Sequence, residues 1–136
     1  MKTEYASDFR DFFTGYLVCA LWSSHDNADE GGGEPMDANY DLTCIAFRSL
    51  LEMARECKDF MTTQAEPLAR YAEKMSDRGE WTAMERAGHD FWLTKNGHGA
   101  GFWGRGLGQL GRELTDASKV YGSTDLYVGD DGKVYC

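Results

Sequence analysis

Basic residues are scarce in this 136-residue chain: 14 Lys plus Arg stand against 23 Asp plus Glu, giving a formal net charge of −9. A conventional DNA or RNA binder neutralises phosphates with Lys and Arg, so direct nucleic-acid binding is disfavoured. Charged partners are instead expected to be cations or basic surfaces. No apolar stretch approaches the ~18–20 residues that span a bilayer, so no membrane contact is expected. The opening Met1-Lys2-Thr3-Glu4-Tyr5 lacks the apolar core of a signal peptide. The four cysteines, Cys19, Cys44, Cys57 and Cys136, contain no Cys-x-x-Cys pair, and His25, His89 and His98 show no zinc-ligand spacing. Reduced thiols, no metal and no cofactor are the expectation. Internal repeats and linkers are also missing, which favours a single domain over residues 1–136.

Aromatic residues, by contrast, are plentiful. A hydrophobic fraction of 42% with seven Phe, seven Tyr and four Trp is enough to build a core. Phe9, Phe12, Phe13, Tyr16, Leu17, Ala20 and Leu21 recur at helical spacing, with Ser7 as the expected N-cap. A second helix is predicted over about Thr43–Met61, its inner face carrying Phe47, Leu50, Leu51, Ala54, Cys57 and Met61. Pro67 suits the first turn of a third helix with Leu68, Tyr71, Ala72 and Met75 inside. Glu80 to Ala87 adds one or two turns that end at Gly88. Beyond it, His89 to Thr94 alternates like a strand, Asn96-Gly97 reads as a hairpin turn, and Ala100 to Trp103 reads as the returning strand. Leu107, Leu110, Leu114, Ala117 and Tyr121 mark another helix capped by Gly122. Asp125 to Val128, an Asp131-Gly132 turn and Lys133 to Tyr135 form a second hairpin. The expected class is α+β: N-terminal helices, then two β-hairpins with an intervening helix, giving a small antiparallel sheet packed on helices.

The charge is concentrated. Ser23 to Asp41 carries Asp26, Asp29, Glu30, Glu34, Asp37 and Asp41 with no Lys or Arg, while the rest of the chain is nearly balanced. Gly31-Gly32-Gly33 and Pro35 make this stretch, about residues 23–41, an acidic loop. Asp37-x-Asn39-x-Asp41 begins like a calcium loop, but Leu42 and Arg48 stand where Gly and Glu are required.

Half of the sixteen glycines fall between Gly88 and Gly111, where Gly99–Gly104 and Gly106–Gly111 both match G-x-G-x-x-G. A dinucleotide site needs a buried parallel strand, a tight turn and then a helix. Phe102 and Trp103 read as strand residues within the first match, and the second falls inside a predicted helix. Turns and close packing therefore explain these glycines more simply. His89, Asp90, Asn96, His98, Gly99 and Gly101 around the predicted hairpin compose a candidate ligand site, with a His beside a carboxylate as a possible general base. Adjacent strand residues face opposite ways, however, and no nucleophile is nominated. Trp92 and Trp103 are candidates for an outward aromatic platform, with Phe91 and Leu93 inside.

The run Gly88-His89-Asp90-Phe91-Trp92-Leu93-Thr94-Lys95-Asn96-Gly97-His98-Gly99-Ala100-Gly101-Phe102-Trp103, with Asp125-Leu126-Tyr127-Val128-Gly129-Asp130-Asp131-Gly132, resembles small uncharacterised proteins of bacteriophages and mobile elements. The resemblance implies a phage accessory protein acting in the host bacterial cytoplasm, of the kind that blocks host machinery such as CRISPR or restriction systems. It carries no catalytic residues with it. The leading expectation is a non-enzymatic inhibitor that binds a basic-surfaced host protein, such as part of a nucleic-acid-processing defence complex. Asp26, Asp29, Glu30, Glu34, Asp37, Trp92, His98 and Trp103 would make the contact. The alternative is a small ligand- or nucleotide-binding protein or enzyme using the His89/Asp90/His98 region. Self-association into a homo-oligomer is compatible with both.

Overall fold

A computed structural model describes residues 2–25, 34–75, 81–98 and 100–136. Among them the chain forms α1 (Lys2–Ser23), α2 (Phe47–Thr63), α3 (Ala65–Met75), α4 (Ala83–Lys95), α5 (Gln109–Lys119) and one hairpin, β1 (Tyr127–Val128) and β2 (Val134–Tyr135). Three short 3₁₀ turns, Met36–Ala38, Leu42–Cys44 and Phe102–Arg105, connect them. The architecture is helical with a two-stranded antiparallel sheet, α+β in the broad sense.

Two glycines set the central contact. A Cβ on Gly15 of α1 would lie 1.9 Å from the Glu85 carbonyl oxygen, and one on Gly88 of α4 would lie 1.8 Å from that of Phe12. The backbones of α1 and α4 therefore touch, which only glycine permits at both positions. Around this crossing, aromatic rings fill the interior. Phe60 of α2 stacks on Phe91 of α4 at 4.1 Å between centroids, Tyr121 meets Phe91 edge-on at 5.4 Å, and Tyr16 meets Trp92 edge-on at 5.2 Å. Such pairs add about 0.5–1.5 kcal/mol each beyond simple burial.

The first predicted hairpin does not exist. His89 to Thr94 is the second half of α4, which opens at a Thr82–Glu85 capping box and runs through Gly88. Nearly every α4 residue from Gly88 to Lys95 is buried, so no polar face reveals the helical period and the aromatic run imitates a strand. Asn96-Gly97 ends this helix. Gly97, at φ 72°, donates to the Thr94 carbonyl at 3.1 Å and His98 donates to that of Leu93 at 3.0 Å, a Schellman stop. The positive φ that suggested a hairpin turn is real but serves a helix end. Phe102 and Trp103 then lie in a 3₁₀ turn, held where the Phe102 backbone N–H donates to Thr94 Oγ1 at 3.2 Å.

Other boundaries also move. α1 is helical from Lys2, so Ser7 is not its cap. α2 starts at Phe47 and buries Ser49, Met53, Cys57, Phe60 and Met61, leaving Phe47 and Leu51 exposed. The buried stripe includes Ser49 because its hydroxyl accepts the Cys136 backbone N–H at 3.0 Å. α3, α5 and the Gly122 turn lie near their expected places, and the chain ends in a two-residue-per-strand antiparallel pair, shorter than the expected hairpin, with Tyr127 opposite Tyr135 and Val128 opposite Val134. Ile45 adds a parallel bridge to Val134, which seats the hairpin on the start of α2.

Candidate functional site

Asp26, Asp29, Glu30 and Gly99 lie outside the described residues. Glu34 and Asp37 are exposed, Glu34 accepting from Asn39 Nδ2 at 3.1 Å. Trp92 is 2% exposed and donates its indole N–H to Ser23 Oγ at 2.7 Å, so it is a core residue and no outward platform. The helix turns that side chain inward against α1, where a strand would have alternated outward. Trp103 is 56% exposed and His98 is exposed.

The His89/Asp90/His98 group is dispersed. His89 packs beside Trp22 of α1, ring centroids 5.9 Å apart, and burial pushes its pKa below the usual 6.5 against the opposing pull of Asp90. Asp90 is fully buried. Its carboxylate accepts Arg105 Nη2 at 2.7 Å, Arg105 Nε at 3.1 Å and the Tyr71 hydroxyl at 2.8 Å. It ties α4 to α3 and to the Phe102–Arg105 turn, and burial and the adjacent carboxylate push the Tyr71 phenol upward. Asn96 caps α4, donating to the Trp92 carbonyl at 2.9 Å and accepting the Thr124 N–H at 2.8 Å. Gly101 is buried against Thr94 at φ 135°. His98 shares a cleft of about 460 Å³ with Trp103, Arg112, Thr115, Asp116 and Lys119. The second G-x-G-x-x-G match straddles the start of α5 and is not enclosed within it. A 3₁₀ turn precedes it, where a dinucleotide fold requires a parallel strand.

A broader concavity, about 860 Å³, lies between α2 and the hairpin, at residues that no sequence motif marks. Phe47 and Arg48 from α2 and Tyr127, Lys133 and Tyr135 from the hairpin line it. Phe47 is 74% exposed and Tyr127 51%. Tyr127 stacks on Tyr135 with centroids 5.7 Å apart, and the Arg48 guanidinium lies 5.6 Å from the Tyr135 ring centroid. Asp131 accepts the Tyr135 hydroxyl at 2.6 Å, which holds its carboxyl below the usual range. Cross-strand pairing and the hairpin's seat at Ile45–Val134 thus present an aromatic face rimmed by the cations Arg48 and Lys133 and the carboxylates Asp130 and Asp131.

Three of the thiols, Cys19, Cys57 and Cys136, are held in their neutral form by burial. Burial pushes Cys19 up to about 12, and raises Cys57 and Cys136, so these sulfurs stay protonated near neutrality. Among the described residues no group of three or more His, Cys, Asp or Glu side chains is placed to hold a metal ion, and no helix is long and apolar enough to cross a membrane. No protein-family model, curated protein or solved structure matches the chain.

Proposed function

We propose that the protein acts by binding another protein, with Phe47 and Tyr127 as apolar anchors. The observation that carries this reading is the exposure of both rings on one rigid concavity. Large aromatic side chains left in water beside a guanidinium are the composition of interface hot spots. The exposed acids Glu34, Asp37 and Asp41 precede this face along the chain, through the Leu42–Cys44 turn and Ile45. A partner with an apolar recess and a basic rim fits the combination. In line with the resemblance to phage accessory proteins, that partner is proposed to be a host bacterial protein, of a defence or nucleic-acid-processing complex, that is blocked by occlusion.

The test is capture from host lysate by the immobilised protein, with Phe47→Ala/Tyr127→Ala and Glu34→Gln/Asp37→Asn variants alongside. A stoichiometric partner is expected with the native chain. The aromatic variant should weaken it by at least about tenfold, as for loss of one hot-spot contact. The acid variant should flatten the dependence of affinity on salt. Undiminished capture by the aromatic variant refutes the assignment of this face.

A further inference from the structure

The cleft beside Trp103 has the makings of a second, independent site. Its floor is α5, where Arg112, Thr115, Asp116 and Lys119 succeed one another on a single face. Arg112 and Lys119 are about 10 Å apart along the helix, at ~1.5 Å per residue. Neither forms an ion pair among the described residues, although Asp116 stands between them and the chain is strongly acidic. Two uncommitted cations therefore converge on a cavity in a protein whose overall charge repels anions.

Thr115 supplies a different kind of signal. The residue is 8% exposed and its hydroxyl oxygen is buried without a hydrogen-bond partner among the described residues. Such a hydroxyl is costly in a finished core, and its cost is relieved when a ligand atom completes it. Trp103 offers its half-exposed indole as one wall, on a 3₁₀ turn anchored from below by Phe102, which is fully buried. His98 stands on the Schellman stop of α4, which also fixes the backbone there.

We infer that this cleft binds a free mononucleotide: the base stacks on Trp103, the phosphate is held by Arg112 and Lys119, and Thr115 and Asp116 meet the polar groups between. A volume of about 460 Å³ lies in the range of small-molecule sites. The ring and the anion are both required. A flat neutral ring leaves two cations unused, and a bare anion leaves the indole in water. A nucleic-acid strand is disfavoured because the net charge of −9 opposes a long polyanion, whereas one phosphate answers the local pair.

The test is calorimetric titration of the native chain with the four common nucleoside monophosphates, with adenosine, inorganic phosphate and a single-stranded oligonucleotide as comparisons. At least one monophosphate should bind with a dissociation constant below about 1 mM, the weak end of specific recognition. Adenosine and inorganic phosphate should each bind at least about tenfold more weakly, since each forfeits one of the two anchors. Arg112→Gln/Lys119→Gln should abolish the preference for the phosphorylated ligand, and Trp103→Ala should weaken binding by about tenfold. Those side chains are exposed, so circular dichroism should show an unchanged fold. Thr115→Val should bind more weakly while melting no lower than the native chain, because it removes an orphan hydroxyl. No binding by any monophosphate, or equal binding of adenosine, overturns the inference. So does unchanged affinity in the double variant, or stronger binding of the oligonucleotide than of every mononucleotide.

Discussion

Asp90→Ala gives the sharpest test of how this fold is held. The carboxylate is fully buried and satisfied by two partners, the Arg105 guanidinium through both nitrogens and the Tyr71 hydroxyl. Its removal leaves a guanidinium and a phenol facing a small cavity. Breaking one side of a buried ion pair costs about 3–5 kcal/mol. Arg105 is 36% exposed, however, and can recover water, which places the expected loss near the low end, about 3 kcal/mol. For a domain this size that lowers the melting temperature by roughly 10 °C. Asp90→Asn keeps the shape and an acceptor for Tyr71, so it should lose about half as much. Arg105→Ala should cost at least as much as Asp90→Ala, because it strands a carboxylate that has no access to water. Urea unfolding followed by circular dichroism measures all three. A loss below about 1 kcal/mol for Asp90→Ala would show that the pair contributes no more than an exposed salt bridge and refute the reasoning.

Three further outcomes follow from the same contacts. Gly88→Ala should destabilise by more than about 3 kcal/mol, since its methyl would meet the Phe12 carbonyl and force α1 off α4; denaturation within 1 kcal/mol of native would contradict that close crossing. Lys95→Met should cost about 3 kcal/mol, because the fully buried ammonium, 2.8 Å from Glu56 Oε1 and 2.6 Å from Thr124 Oγ1, leaves Glu56 unpaired beside the Tyr16 hydroxyl; a neutral result by thermal melting would refute it. The third concerns pH. His89 is held below its usual pKa of 6.5 by burial, so the unfolded chain takes up the proton first as pH falls. Stability should therefore decline as pH falls below about 6.5, and the decline should shrink in His89→Gln. Asp41 and Asp131, both held low by hydrogen bonds, lose their contributions only at more acid pH and leave that window clear. Identical pH profiles for the native chain and His89→Gln would sink this account.

What could be read from residues alone depended on whether one side of an element meets water. α5 buries one face, Leu110, Gly111, Leu114, Thr115 and Ser118, and exposes Gln109, Arg112, Asp116 and Lys119 on the other, so its period survives in the sequence. The Asp131-Gly132 turn likewise sits between short strands with one buried position, Val134. α4 is enclosed on nearly all sides, so its aromatic run carried no period and its glycine passed for a stop. Nothing local could show that Gly88 meets the carbonyl of Phe12, because that reason lies in another helix. α2 failed differently. Phe47 and Leu51 are apolar at positions that fit a helical stripe, yet the core claimed Ser49 and Met53 in their place. Apolar residues that a helical stripe places outside the core, Phe47 and Leu51, are the sequence signal of an exposed face. Trp103 and His98 are exposed, but the cleft that unites them with Arg112 and Lys119 needs the helix stop and the 3₁₀ turn that stand in place of a hairpin.

That replacement also changes what Asp90 does. Beside His89 in a strand it read as half of an acid–base pair, but in α4 its carboxylate points to Arg105, two residues beyond Trp103. The same helix sends Thr94 Oγ1 to the Phe102 N–H, one residue before Trp103. The indole is thus bracketed by two hydrogen-bonded anchors from one buried helix, while its own ring remains in water. Holding an exposed aromatic on a rigid turn lowers the entropy lost when something stacks on it. Asp90 thus holds the Phe102–Arg105 turn that carries Trp103, through its hydrogen bonds to the Arg105 guanidinium.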